Sequence, residues 1–85
     1  MTYQVIWEDS ALAELHGIWQ VSIDKDGIQQ VAKRIDIELT HNPRQARESR
    51  HEDFRVLFKY PLVVWFRVVE RMQMVQVLHV RLVKR

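Results

Sequence analysis

The sequence predicts an α+β fold in the order β-α-α-β-β-β, an antiparallel sheet with two helices packed on one face. Three observations carry this reading. Apolar residues recur at 3.6-residue spacing through most of the first half of the chain and alternate through most of the second. The two helical stretches are separated by the turn sequence Asp24-Lys25-Asp26-Gly27. The three strand-like stretches that close the chain are joined by connections too short for a crossover, which makes them antiparallel.

The elements follow in order. Tyr3, Val5 and Trp7 alternate with Gln4, Ile6 and Glu8, a first strand over about residues 3–7 with both faces partly apolar. Asp9-Ser10 offers an N-cap, and Ala11, Leu12, Leu15, Ile18 and Trp19 then make a helical stripe to about residue 20, weakened somewhat by Gly17. Asp24 or Asp26 caps the second helix. Its stripe is Ile28, Val31, Ala32, Ile35 and Leu39, and it runs to about His41, before Pro43. Ile37 lies opposite that stripe, either as a lone exposed aliphatic residue or as a contact for a partner chain. Asn42–Asp53 reads as a loop too polar to pack. Phe54–Lys59 is the next strand, Tyr60-Pro61 the turn after it, and Leu62–Val69, apolar on both faces, a central strand. Glu70-Arg71 begins a turn, and Gln73–Val83 is the last β-rich segment.

With 85 residues the chain is expected to form one domain spanning 1–85. The lack of cysteine excludes a disulfide framework, a thiolate zinc site and a cysteine nucleophile. An apolar share of 47% argues against disorder. The longest apolar run, Leu62 to Phe66, is too short to span a bilayer. The start, Met1-Thr2-Tyr3-Gln4, has neither the basic segment nor the apolar core of a signal peptide. A cytoplasmic, soluble protein with no membrane contact is expected.

The net charge of +2 hides a split: residues 1–40 sum to −4 and residues 41–85 to +6. Nine of the thirteen bases are arginine, whose planar fork of donors suits phosphate. The basic half is a candidate footprint for nucleic acid, or ordinary surface charge.

Several kinds of chemistry lack their residues. With Gly17 and Gly27 alone there is no phosphate-cradling loop. His16, His41, His51 and His79 are scattered, and a structural role is the simpler reading of each. The consecutive side chains of His51-Glu52-Asp53 do not converge on one metal, and Ser10 and Ser49 have no triad-like setting. No cofactor and no metal are expected. What remains is a set of bases on or near the strands: Arg55, Lys59, Arg67, His79 and Arg81, with Arg50 in the loop before them. Arg55 and Lys59 share a face, as do His79 and Arg81. If Val69 pairs with Gln73, then Arg67 opposes Val75, Trp65 opposes Val77 and Val63 opposes His79. Trp65, Arg67, His79 and Arg81 then share a face, and a one-residue slip would separate them. Such a face suits an RNA backbone with a base stacked on the indole. Alternatively Trp65 belongs to the core and the bases sit at strand ends in water.

Taken together, the ordered motifs resemble the RelE/ParE superfamily of toxins from type II toxin–antitoxin systems, which includes plasmid-stabilisation proteins. The resemblance covers nearly the whole chain. Tyr3-Gln4-Val5-Ile6-Trp7 followed by Ala11-Leu12-Ala13-Glu14-Leu15 is similar to the family's first strand and helix, and Ile35…Leu39…Asn42-Pro43 to the end of its second helix. Phe54-Arg55-Val56-Leu57 and Leu62-Val63-Val64-Trp65-Phe66-Arg67-Val68 are similar to its hairpin, and Val77-Leu78-His79-Val80-Arg81 to its closing segment. The resemblance implies a toxin neutralised by a cognate antitoxin, monomeric or weakly dimeric when free. RelE-like members cleave mRNA inside the ribosome, whereas ParE-like members inhibit DNA gyrase without catalysis. A relative that has lost toxicity is a third alternative. Cleavage needs activation of the 2′-hydroxyl, stabilisation of the phosphate and protonation of the leaving oxygen. By the resemblance Arg55 and Arg81 match catalytic bases. His79, with an imidazole reference pKa of about 6.5, is the candidate proton carrier. Arg67, Lys59, Trp65 and Arg50 are the candidates for holding nucleic acid.

Overall fold

The computed structural model of the chain describes residues 2–43, 47–48 and 54–83. Its elements are β1 (Gln4–Trp7), α1 (Asp9–Val21), α2 (Lys25–His41), β2 (Arg47–Glu48), β3 (Phe54–Lys59), β4 (Leu62–Val69) and β5 (Met74–Leu82). They build one sheet in the order β1-β5-β4-β3-β2. The ladders from β2 to β5 are antiparallel, as short connections demand. The first strand returns across the whole chain to lie parallel to β5, with Gln4 beside Met74 and Trp7 beside Val77, so the sheet is mixed. The apolar β4 is central, between β3 and β5.

Both helices cover the same face of this sheet. Ala11 of α1 and Ile28, Ile35 and Leu39 of α2 meet Leu57, the alternate residues Leu62, Val64, Phe66 and Val68, and Val75, Val77 and Val80 in one core. Polar contacts tie β1 into place: Trp7 Nε1 donates to Asp36 of α2 at 3.0 Å, and the Tyr3 hydroxyl to Glu70 at 2.6 Å. Among the described residues no helix is long and apolar enough to cross a membrane.

Asp24 caps α2 as expected, its carboxylate accepting from the Gly27 amide at 2.9 Å. The Ile28-to-Leu39 stripe faces inward and Ile37 is half-exposed. Two expectations are corrected. Helix α1 begins at Asp9 and follows Glu8, whose side chain makes no capping bond. The hydroxyl of Ser10, expected to help cap it, donates instead to the Leu78 carbonyl of β5 at 3.1 Å, a stronger claim on it than a helix end already in water. The polar segment Asn42–Asp53 is also not all loop. Pro43 is buried, and Arg47 and Glu48 pair with Val56 and Arg55 as an edge strand, because ladder bonds use the backbone and tolerate polar side chains.

Candidate functional site

The face of the sheet turned away from the helices carries the site. Alternation along β3 sends Arg55, Leu57 and Lys59 toward the helices and Phe54, Val56 and Phe58 outward. On β4 Val63, Trp65 and Arg67 point outward. On β5 the register differs from simple alternation. Val69 lies opposite Met74, Arg67 opposite Gln76 and Phe66 opposite Val77, but Trp65 lies opposite His79 and Val63 opposite Arg81. Leu78 is the extra residue of a β-bulge between these two stretches.

The bulge decides the composition of the outer face. Had the ladder continued without it, Trp65 would face Leu78, and His79 and Arg81 would turn into the core. With it, three rows cross the sheet: Phe54–Arg67–Gln76, Val56–Trp65–His79 and Phe58–Val63–Arg81. Strands lie about 4.8 Å apart, so each row spans roughly 10 Å. His79 is thus flanked by the Arg67 row on one side and the Arg81 row on the other, and its cross-strand neighbour is Trp65. None of these nine positions carries an acid. Arg67 has its guanidinium over the Phe54 ring, 6.0 Å from the centroid.

One carboxylate reaches this face from α1. Glu14 accepts from the Val80 amide at 3.0 Å, takes a hydrogen bond from Arg81, and lies 3.4 Å from His79 Nδ1. Burial pushes the Glu14 carboxyl up. The Arg81 and Val80 hydrogen bonds and the charges of Arg81 and His79 outweigh it and hold the group below its usual 4.5.

Of the sequence candidates, the structure brings Trp65, Arg67, His79 and Arg81 together. The pairing that does so is not the one drawn from Val69 and Gln73. Arg55 and Lys59 lie on the opposite side of the sheet: Arg55 is buried among the core residues of β3 and β4, and Lys59 pairs with Glu38 of α2 at 2.7 Å. Arg50 and the His51-Glu52-Asp53 run lie outside the described residues. Among those described, no cluster of His, Cys, Asp or Glu is arranged to hold a metal.

Two features escaped the sequence reading. The first is Glu14, whose signal is its i+4 spacing from Ser10: both reach the same edge of β5. The second is a groove of about 540 Å³ between the helices, lined by Leu12, Leu15, His16, Trp19, Ile28, Gln29 and Ala32. His16 stacks on Trp19 there, and Leu12 is half-exposed.

No family model matches the chain, and no curated protein matches it in sequence. Its fold is nevertheless similar to those of solved toxin structures. A RelBE toxin–antitoxin complex of Mycobacterium tuberculosis aligns with a TM-score of 0.78 at 18% identity, over 96% of this chain and 92% of that one. The chromosomal ParDE system of P. aeruginosa aligns at 0.72 with 23% identity, over 96% and 97%. The intact E. coli RelBE complex aligns at 0.69 with 22% identity, over 98% and 99%.

Proposed function

The chain has the RelE/ParE toxin fold, and from that premise we propose that it is the toxin of a type II toxin–antitoxin module, acting as a RelE-like, ribosome-dependent mRNA endonuclease. The observation that carries the enzymatic part is His79 set between Arg67 and Arg81 on an open sheet face, beside Trp65. A base stacks on the indole, and the two guanidinium groups hold the phosphodiester and the charge that grows on it. The 2′-oxygen attacks phosphorus, the bond to the 5′-oxygen breaks, and a 2′,3′-cyclic phosphate forms. His79 carries the proton at one of the two oxygens, and solvent water carries it at the other. Arg55 and Lys59, on the helix side, are not used. In vitro translation followed by primer extension tests this: wild type cuts the message, and His79→Ala slows cutting by about 10²- to 10⁴-fold. Identical, uncut message with both proteins refutes it.

A second reading has its own observation. Phe54, Phe58 and Trp65 make the outer face apolar as well as basic, which also suits a protein target such as DNA gyrase, bound without catalysis. Inhibition of supercoiling with no message cleavage selects that reading. A failure of induced expression to arrest growth selects a relative that has lost toxicity. The resting partner is a cognate antitoxin. An amphipathic antitoxin helix fits the apolar groove between α1 and α2, and acidic antitoxin residues complement the basic sheet.

A further inference from the structure

Strand β1 accompanies β5 only as far as Val77, so beyond the bulge no strand among the described residues runs along that edge of β5. Helix α1 takes that place. Ser10 donates to the Leu78 carbonyl at 3.1 Å, and one turn later Glu14 Oε1 accepts from the Val80 amide at 3.0 Å. Two side chains thus stand in for a neighbouring strand. The same carboxylate binds Arg81 through Oε2, and its Oε1 lies 3.4 Å from His79 Nδ1. One acid therefore touches two of the basic side chains described on the outer face, His79 and Arg81, and its charge cancels that of Arg81.

We propose that Glu14 regulates this face by occupying Arg81, so that a phosphate must displace the carboxylate before Arg81 can hold it. The inference rests on the phosphate-binding reading of the face given above. Of the two partners, the arginine is the one that moves. Its side chain is 57% exposed, whereas Glu14 is 25% exposed and tethered by the Val80 amide. Phosphate binding at Arg81 thus exchanges one ion pair for another, and part of the favourable interaction is lost in the exchange. An antitoxin acid or an RNA phosphate meets the same competitor.

Glu14→Gln isolates the effect, because the amide oxygen still accepts from Val80 while the charge is gone. Binding of a short all-deoxy single strand, which has no 2′-hydroxyl to attack, is measured by fluorescence anisotropy at low salt with matched melting temperatures. Glu14→Gln is expected to bind about two- to five-fold tighter, the range of a surface ion pair. Arg81→Ala binds more weakly, and adding Glu14→Gln to it changes nothing further. Where wild type binds the strand, unchanged or weaker binding by Glu14→Gln overturns the proposal, and so does a gain that persists without Arg81. A parallel titration with pyrophosphate, followed by the Arg81 side-chain NMR signal, separates the two claims. Tighter pyrophosphate binding by Glu14→Gln with no oligonucleotide binding in any variant keeps the Glu14 proposal and refutes the nucleic-acid reading. No gain with either probe refutes the Glu14 proposal.

Discussion

Phe66 and Trp65 are neighbours on β4 with opposite surroundings, and alanine at the two positions should separate folding from function. The Phe66 side chain is fully buried between the sheet and the helices. Its removal leaves a sealed cavity and costs about 3–5 kcal/mol. Trp65 is 38% exposed on the outer face, and its loss opens a dent to water without a cavity. The area it gives up is worth about 1–2 kcal/mol. A chain of 85 residues has a total stability of about 4–13 kcal/mol at the usual stability per residue, so Phe66→Ala consumes about a quarter of it or more. A difference of about 2 kcal/mol between the variants separates their melting temperatures by roughly 8–16 °C. Urea unfolding followed by far-UV circular dichroism measures this without depending on the tryptophan. Trp65→Ala should remain folded yet lose about 1–3 kcal/mol of binding to a single strand, the contribution of one stacked base. A loss of stability in Trp65→Ala equal to or greater than that in Phe66→Ala would refute the assignment of faces, and with it the site.

The remaining expectations concern the helices and the Glu14 contact. Asp24→Ala removes the cap on the Gly27 amide and should cost about 1 kcal/mol in thermal unfolding. The two glycines should respond oppositely to alanine. At Gly17 a new Cβ meets nothing within 4 Å, so Gly17→Ala should stabilise α1 by about 0.5–1 kcal/mol. At Gly27 the Cβ would collide with Oδ2 of the same Asp24 carboxylate whose Oδ1 makes the cap, so Gly27→Ala should show no such gain in the same melt. Because the folded protein holds the Glu14 carboxyl below its usual 4.5, its contribution is present above that pH and disappears as pH falls through the lowered value. Stability measured from about pH 5 down to about pH 2 should therefore fall more steeply in wild type than in Glu14→Gln. Equal slopes would show that the contact adds nothing to folding.

Much of this protein follows from local pattern. The stripe Ile28, Ile35 and Leu39, the cap at Asp24, the turn at Tyr60-Pro61 and the alternating apolar residues of β4 are set by periodicities and backbone preferences within a few residues. They determine which elements form and which faces are buried, and their order is enough to match the toxin fold at identities of 23% or less. Only the tertiary structure decided what shares the outer face. The bulge at Leu78 has a trace in the sequence, since the inward residues Val75, Val77 and Val80 are spaced by two and then by three. That spacing becomes a bulge only when β4 supplies the facing register. Arg55 and Lys59 share with Arg81 a chemistry visible in the sequence, yet they lie on the opposite side of the sheet, because each strand's alternation is set by the core it covers. Glu14 meets Arg81 and Val80 across some 66 residues, a separation that no periodicity encodes. Local pattern determined the parts and the family they resemble. Long-range pairing decided which charges meet, because a one-residue change in register reverses every side chain that follows.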